Sequence, residues 1–167
     1  MNKGLSEGQQ VAFTSSIPVV ERPRLIDQII SDPHWLVGFS DGEGCFFVSI
    51  RKSKVLLGEA VTLKFQITQH VRDLSLLRSL ENTLGCGRVE ISNKNWACYV
   101  VTVFSDTLNK IIPFFDRYPL LGVKRKNFDD FSKVVSLVKS KEHLTKCGLD
   151  KIKQIKIGMN KERKYDD

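Results

Sequence analysis

Between His34 and Ile50 the chain reads HWLVGFSDGEGCFFVSI, and its hydrophobic period changes from helical to alternating across two glycines that enclose one glutamate. The helical part opens at SDP, where Ser31 or Asp32 serves as N-cap and Pro33 fits a first turn that needs no amide donor. Gly42 and Gly44 end it, and beyond them Phe46, Val48 and Ile50 alternate with Phe47, Ser49, Arg51 and Ser53 as in a strand. The chain must therefore join a helix to a strand around a carboxylate, Glu43. Gly38 and Gly42 lie about one helical turn apart, which leaves one face of the helix bare. Two glycines cost a helix about 1 kcal/mol each relative to alanine. Close approach of another backbone, most naturally a second helix, is the reason to expect for them.

The remaining patterns extend this start into an α+β domain. AVTLKFQITQ alternates Val61, Leu63, Phe65 and Ile67 against Ala60, Thr62, Lys64, Gln66 and Thr68, after a turn at LLGE. DLSLLRSLENTLGCG carries a helical leucine stripe, Leu74, Leu76, Leu77, Leu80 and Leu84, stopped by Gly85 and Gly87. RVEIS and WACYVVTVF form a second hairpin around Asn93 to Asn95, and SDTLNKIIPFF and KNFDDFSKVVSLVKS read as two more helices. A last helix starts at about Leu149 and runs into a basic tail. The order predicts a four-stranded antiparallel sheet with helices on one face and a polar, partly basic face left open. Such a twisted surface suits a DNA major groove.

Charge agrees with that partner. Lysines and arginines number 26 against 19 acidic residues in 167, a formal charge of +7, which suits a polyanion. Cys45, Cys86, Cys98 and Cys147 form no C-x-x-C pair or other zinc spacing, so free thiols in a reducing compartment are expected. No apolar run approaches the ~20 residues of a membrane span, and Met1 to Gln10 has neither a secretory core nor an evident organellar targeting pattern. Residues 1–30 read as an extended connector, and 31–167 as one domain.

A glutamate just past a helix C-terminus gains nothing from the helix dipole. Flanked by glycines, it exposes its own oxygens and nearby carbonyls, which suits a hard cation that keeps waters and takes phosphate oxygens. On local chemistry alone a plain surface turn is the commoner outcome for such a stretch, and a calcium loop lacks the EF-hand spacing and terminal glutamate.

Leu36-Val-Gly-Phe-Ser-Asp-Gly-Glu-Gly44 resembles the nine-residue motif of the LAGLIDADG homing endonucleases. LKFQITQH at 63–70, LGCGRV at 84–89, LLGVKRKNF at 120–128 and HLTKCGLDKI at 143–152 resemble further family segments in the same order. The likeness is closest to the organellar, intron-encoded branch, and within it to the second half of two-motif members. It implies a pair of motif helices packed through Trp35, Gly38 and Gly42, and a divalent metal, Mg²⁺, held by Glu43 with help from the Gly42 carbonyl. Ca²⁺ is expected to bind without supporting cleavage. Gln69 would organise water near the scissile phosphate and Lys124 would supply positive charge, although each also reads as an ordinary strand-end or surface residue. Asp73 stands where some members carry an active-site base, so Arg72 or Lys124 must provide that charge. The likeness assigns DNA contacts to Ser49, Arg51, Ser53, Thr62, Lys64, Gln66, Arg88, Glu90, Ser92, Trp96 and Cys98.

The motif occurs once. The expected activity, a staggered double-strand break at a long duplex target, needs two such helices, from a homodimer or from a missing half. Mitochondrial or other organellar residence is expected by resemblance. The alternatives are a non-cleaving binder of DNA or intron RNA, and a half that is inert without its partner.

Overall fold

Helix α1, Pro33–Glu43, passes into strand β1, Gly44–Lys52, with no residue between them. The computed structural model describes residues 29–55, 57–92 and 95–160; all but the last two residues of the connector assigned to 1–30, residue 56, the turn residues 93–94 and the basic tail from 161 lie outside the described residues. Of the two cap candidates, Asp32 acts: its side chain accepts the His34 amide at 2.8 Å. At the other end the Gly44 amide donates to the Ser40 carbonyl. Gly44 has an ordinary extended backbone, φ −71° and ψ 152°. It is needed for room: a Cβ there would lie 2.7 Å from the Ser40 carbonyl oxygen and 3.3 Å from the Phe65 ring.

Strand β2, Glu59–His70, returns antiparallel to β1 with Phe46 opposite Phe65 and Gly44 opposite Ile67. A short 3-10 turn, Val71–Asp73, leads to α2, Leu74–Leu84, and then to β3, Arg88–Ile91, and β4, Trp96–Val101. The sheet order is β1-β2-β4-β3, antiparallel throughout. β4 therefore pairs with β2 as well as with β3, and the two hairpins share one continuous surface.

Alternation divides that surface as the sequence suggests. Phe46, Val48, Leu63, Phe65, Ile67, Ala97, Tyr99 and Val101 are buried under the helices. Phe46 is the hub: it stacks on Phe65 at 5.0 Å and meets Phe115, Phe128 and Phe131 at 5.4 Å each. Aromatic pairs of this kind add about 0.5–1.5 kcal/mol each beyond the area they bury. Phe128 and Phe131 come from α5, Lys124–Lys139, whose inner face lies on β1.

Two helices differ from the sequence reading. The segment before α5 is a composite, α3 (Phe104–Asp106), a π-helical turn (Thr107–Ile111) and α4 (Ile112–Arg117), in which Pro113 falls at the start of α4. Proline lacks the amide that would continue a regular ladder, and the wider turn precedes it. The last helix, α6, is Lys146–Ile157, three residues earlier than expected at its start, because Thr145 caps it by accepting the Gly148 amide at 3.0 Å.

The close contact at Gly44 and the open space at Gly38 predict opposite effects of the same substitution. Gly44→Ala should lower the stability of the chain by about 1–3 kcal/mol, the usual range for forced overpacking. A Cβ on Gly38 meets nothing within 4 Å, so Gly38→Ala should raise the stability of the unassembled chain by up to ~1 kcal/mol through helix propensity. Chemical denaturation of the two variants checks both signs.

Candidate active site and nucleic-acid interface

The helix-to-strand joint gathers three charged side chains. Glu43 is the last residue of α1; it is exposed, and no hydrogen bond or ion pair holds its carboxylate among the described residues. Lys124, at the first position of α5, reaches back so that its ammonium donates to the Gly42 carbonyl at 2.9 Å. Burial pulls the Lys124 ammonium below the ordinary lysine value, while its electrostatic coupling to Cys45, Asp41 and Glu43 acts in the opposite direction. Asp41 faces the loop before α5, where its Oδ2 accepts the amides of Leu121 at 2.8 Å and Gly122 at 3.0 Å. Sequence reasoning singled out Glu43 and Lys124 but gave Asp41 no role; its only signal was its place in the motif.

A free carboxylate at the end of a helix fits a hard cation. The Gly42 carbonyl is already engaged by Lys124, so a cation on that oxygen would share it with an ammonium. No three His, Cys, Asp or Glu side chains group as a metal site among the described residues. Glu43 thus fits one carboxylate ligand of a cation, with the remaining ligands coming from outside this joint.

Gln69 lies at the same end of the sheet, two residues past Ile67, which pairs with Gly44. It alternates with Phe65 and Ile67, so it belongs to the helix side of β2, opposite to Lys64 and Gln66. Arg72 is exposed and its guanidinium pairs with Asp73 at 3.5 Å. Of the two bases offered for the site, the structure places Lys124 at the joint.

The face of α1 that carries the glycines is open. Gly38 and Gly42 are exposed, and a Cβ on either meets nothing within 4 Å. Trp35 stands 45% exposed and stacks on Phe39 at 5.0 Å. Leu121, 90% exposed, and Val123, 61% exposed, flank the same end of the helix in the loop that Asp41 holds.

The outer face of the sheet brings most of the proposed nucleic-acid residues together by register. Ser49 pairs with Thr62, and Lys64 with Phe47; Gln66 lies between Cys45 and Val100, and Cys98 between Thr68 and Glu90. Arg51 continues this row on β1 opposite Ala60. Arg88 is held on two sides, by Glu90 at 2.5 Å and by the Thr102 hydroxyl at 3.1 Å. Trp96 is exposed and packs edge-to-face on His70, its partner across β2. Ser53 and Ser92 fall outside the strands: the Ser53 amide donates to the Gly58 carbonyl, and the Ser92 amide and hydroxyl both donate to the Trp96 carbonyl. The face is also less polar than expected. Val100 is 3% exposed beneath its neighbours, and Phe47 lies 5.0 Å under the Lys64 ammonium.

Comparison with known proteins agrees with this geometry. The family model described as LAGLIDADG endonuclease matches residues 36–135. A probable intron-encoded endonuclease of Neurospora crassa is 36% identical over 167 aligned residues, covering 93% of this chain and 35% of the relative. Meganuclease I-SmaMI, solved bound to an uncleaved DNA target in the presence of calcium ions, is 44% identical with a TM-score of 0.79, over 96% of this chain and 55% of that one. The I-LtrWI LAGLIDADG homing endonuclease bound to target DNA is 45% identical with a TM-score of 0.80, over 98% and 55%. The chain thus spans about a third of the curated relative and about half of each solved structure. With a matched family model across most of its sheet and helices, the chain belongs to the LAGLIDADG endonuclease family.

Proposed function

We propose that this chain forms one half of a sequence-specific, metal-dependent DNA endonuclease that makes a staggered double-strand break. The observation that carries this reading is the end of α1, where an exposed Glu43 stands beside an ammonium while the glycine face of the same helix is left bare. Kinship with proteins solved on DNA supports duplex DNA as substrate.

In this reading Glu43 holds a divalent cation, Mg²⁺, at the scissile phosphate, and Ca²⁺ binds without supporting the reaction. Such a cation would supply positive charge to the phosphodiester and make a nearby water more acidic. Lys124 adds positive charge next to the developing oxyanion, a task that needs a preorganised cation and no particular acid. Gln69, at the adjoining strand end, orients water. Ser49, Arg51, Thr62, Lys64, Gln66, Arg88, Glu90, Trp96 and Cys98 face the major groove, with Ser53 and Ser92 at the ends of strands. Arg88, buttressed by Glu90 and Thr102, is shaped to read guanine through two parallel hydrogen bonds. The second motif helix docks on Trp35, Gly38 and Gly42, and a homodimer supplies it most simply. The 55% share of its solved relatives that this chain spans also accommodates a second motif from the remainder of a longer protein. The intron-encoded kinship supports an organellar setting.

Incubation with a randomised duplex library and Mg²⁺, followed by sequencing of cut ends, tests the reading. Wild type should cut at a defined site, and Glu43→Gln should lose ~100-fold or more in rate, the scale seen when one transition-state electrostatic contact is removed. Binding without cutting by both proteins would replace this reading with that of a DNA- or RNA-binding relic. Light scattering should give twice 19.0 kDa for the homodimer, whereas a monomer at high concentration would assign the second helix to another polypeptide segment. Arg88→Ala should weaken DNA binding by about 1–3 kcal/mol and relax preference at one base pair, which cleavage profiling against single-base variants would detect.

A further inference from the structure

The Asp41 carboxylate reaches out of α1 to a loop 80 and 81 residues away, taking the amides of Leu121 and Gly122 on one oxygen. Its other oxygen, Oδ1, is buried with no hydrogen-bond partner among the described residues. It lies where a Cβ on Gly122 would come within 3.1 Å, so the glycine makes room for the carboxylate. Two residues beyond Gly122, α5 starts at Lys124, and no side chain caps its first turn. The Lys124 ammonium then returns to the Gly42 carbonyl, on the residue after Asp41. These contacts close a ring: Asp41 to the loop, loop to Lys124, Lys124 to Gly42.

An aspartate in the last turn of a helix is opposed by the helix dipole, so the helix gains nothing from Asp41 itself. What the side chain gains is a pair of charge-assisted hydrogen bonds, roughly twice as strong as neutral ones. Lysine is a flexible cation on a four-carbon stem, and its backbone must be fixed if its ammonium is to occupy one place. We propose that Asp41 is a positioning residue that clamps the Leu121–Gly122 loop to α1 and so holds the Lys124 ammonium beside Glu43. Its consequence for cleavage rests on the endonuclease reading; the clamp itself rests on geometry.

The test compares Asp41→Ala, Asp41→Asn, Lys124→Ala and the Asp41→Ala, Lys124→Ala double variant of the whole chain. An asparagine oxygen accepts the same two amides, so Asp41→Asn should restore most of what alanine loses. Amide hydrogen exchange at Leu121 and Gly122 should accelerate at least ~10-fold in Asp41→Ala, as expected when local opening becomes easier, and stay near wild type in Asp41→Asn. Single-turnover cleavage with Mg²⁺ should fall ~100-fold in Asp41→Ala, with DNA affinity changed less than ~3-fold, the pattern of an interaction made in the transition state. Because Asp41 acts through Lys124, the double variant should be no slower than Lys124→Ala alone.

Unchanged exchange at both amides in Asp41→Ala would overturn the proposal, and so would rate losses that add in full. Should Asp41→Ala not fold, Gly122→Ala carries the same test, since its Cβ intrudes on the carboxylate and leaves α1 intact. A wild type that cuts no duplex would sink the endonuclease reading alone, because the exchange rates still decide whether Asp41 fixes the loop.

Discussion

The contact between Gly44 and the Ser40 carbonyl sets the geometry of everything around it. A Cβ would stand 2.7 Å from that oxygen, so only glycine lets α1 pass into β1 without a linking residue. Most connections between elements use several residues and leave the elements some freedom of relative orientation. Here the last helical residue, Glu43, is tied to an edge strand whose next inward side chain is Phe46, the hub of the aromatic core. The backbone that carries the carboxylate is thereby anchored to the aromatic core, although the Glu43 side chain itself is exposed. Preorganisation of this kind is what an electrostatic site needs, since a charge that must be repositioned at each encounter has lost most of its advantage.

Much of this was legible in the sequence because two periods, 3.6 and 2, were each carried by large side chains. The alternation of Phe46, Val48 and Ile50 and of Leu63, Phe65 and Ile67 determined which face of the sheet is buried, and hence which residues face outward. Gly38 and Gly42 mark one bare helix face in the sequence, and a Cβ on either meets nothing within 4 Å in the structure. What alternation does not encode is which strands become neighbours. The pairing of β2 with β4 puts Gln66 beside Val100 and Thr68 beside Cys98, giving the outer face an apolar floor that no local pattern foretold.

Contacts over long sequence separation were illegible for the same reason. Asp41 reads locally as one more polar residue before a glycine, and only the fold brings Leu121 and Gly122 onto it. Thr145 as cap moved the start of α6, and Pro113 widened the turn before α4; both were visible residues whose effects depend on a neighbouring amide. Gln69 shows the limit of a motif. Its position in LKFQITQH is right for the end of β2, but its parity with Ile67 places it on the helix side, while the proposed base readers Lys64 and Gln66 lie on the other. Gln69 lies at the end of β2, two residues past Ile67, the partner of Gly44.

The bare glycine face and the engaged Gly42 carbonyl belong to the same end of one helix, and their combination constrains assembly. A second motif helix approaching through Gly38 and Gly42 would bring its own acidic end toward Glu43, and two carboxylates close together repel unless cations stand between them. On this chain the positive charge already present there is Lys124, whose ammonium lies on Gly42 and is attracted by both Asp41 and Glu43. The ammonium therefore offsets part of the negative charge at the seam in the single chain, and a divalent cation would offset more when two acidic ends meet. In the proposed assembly, close packing of the helices and charge balance at their ends would thus be one problem, met by small residues along the seam and cations at its tip.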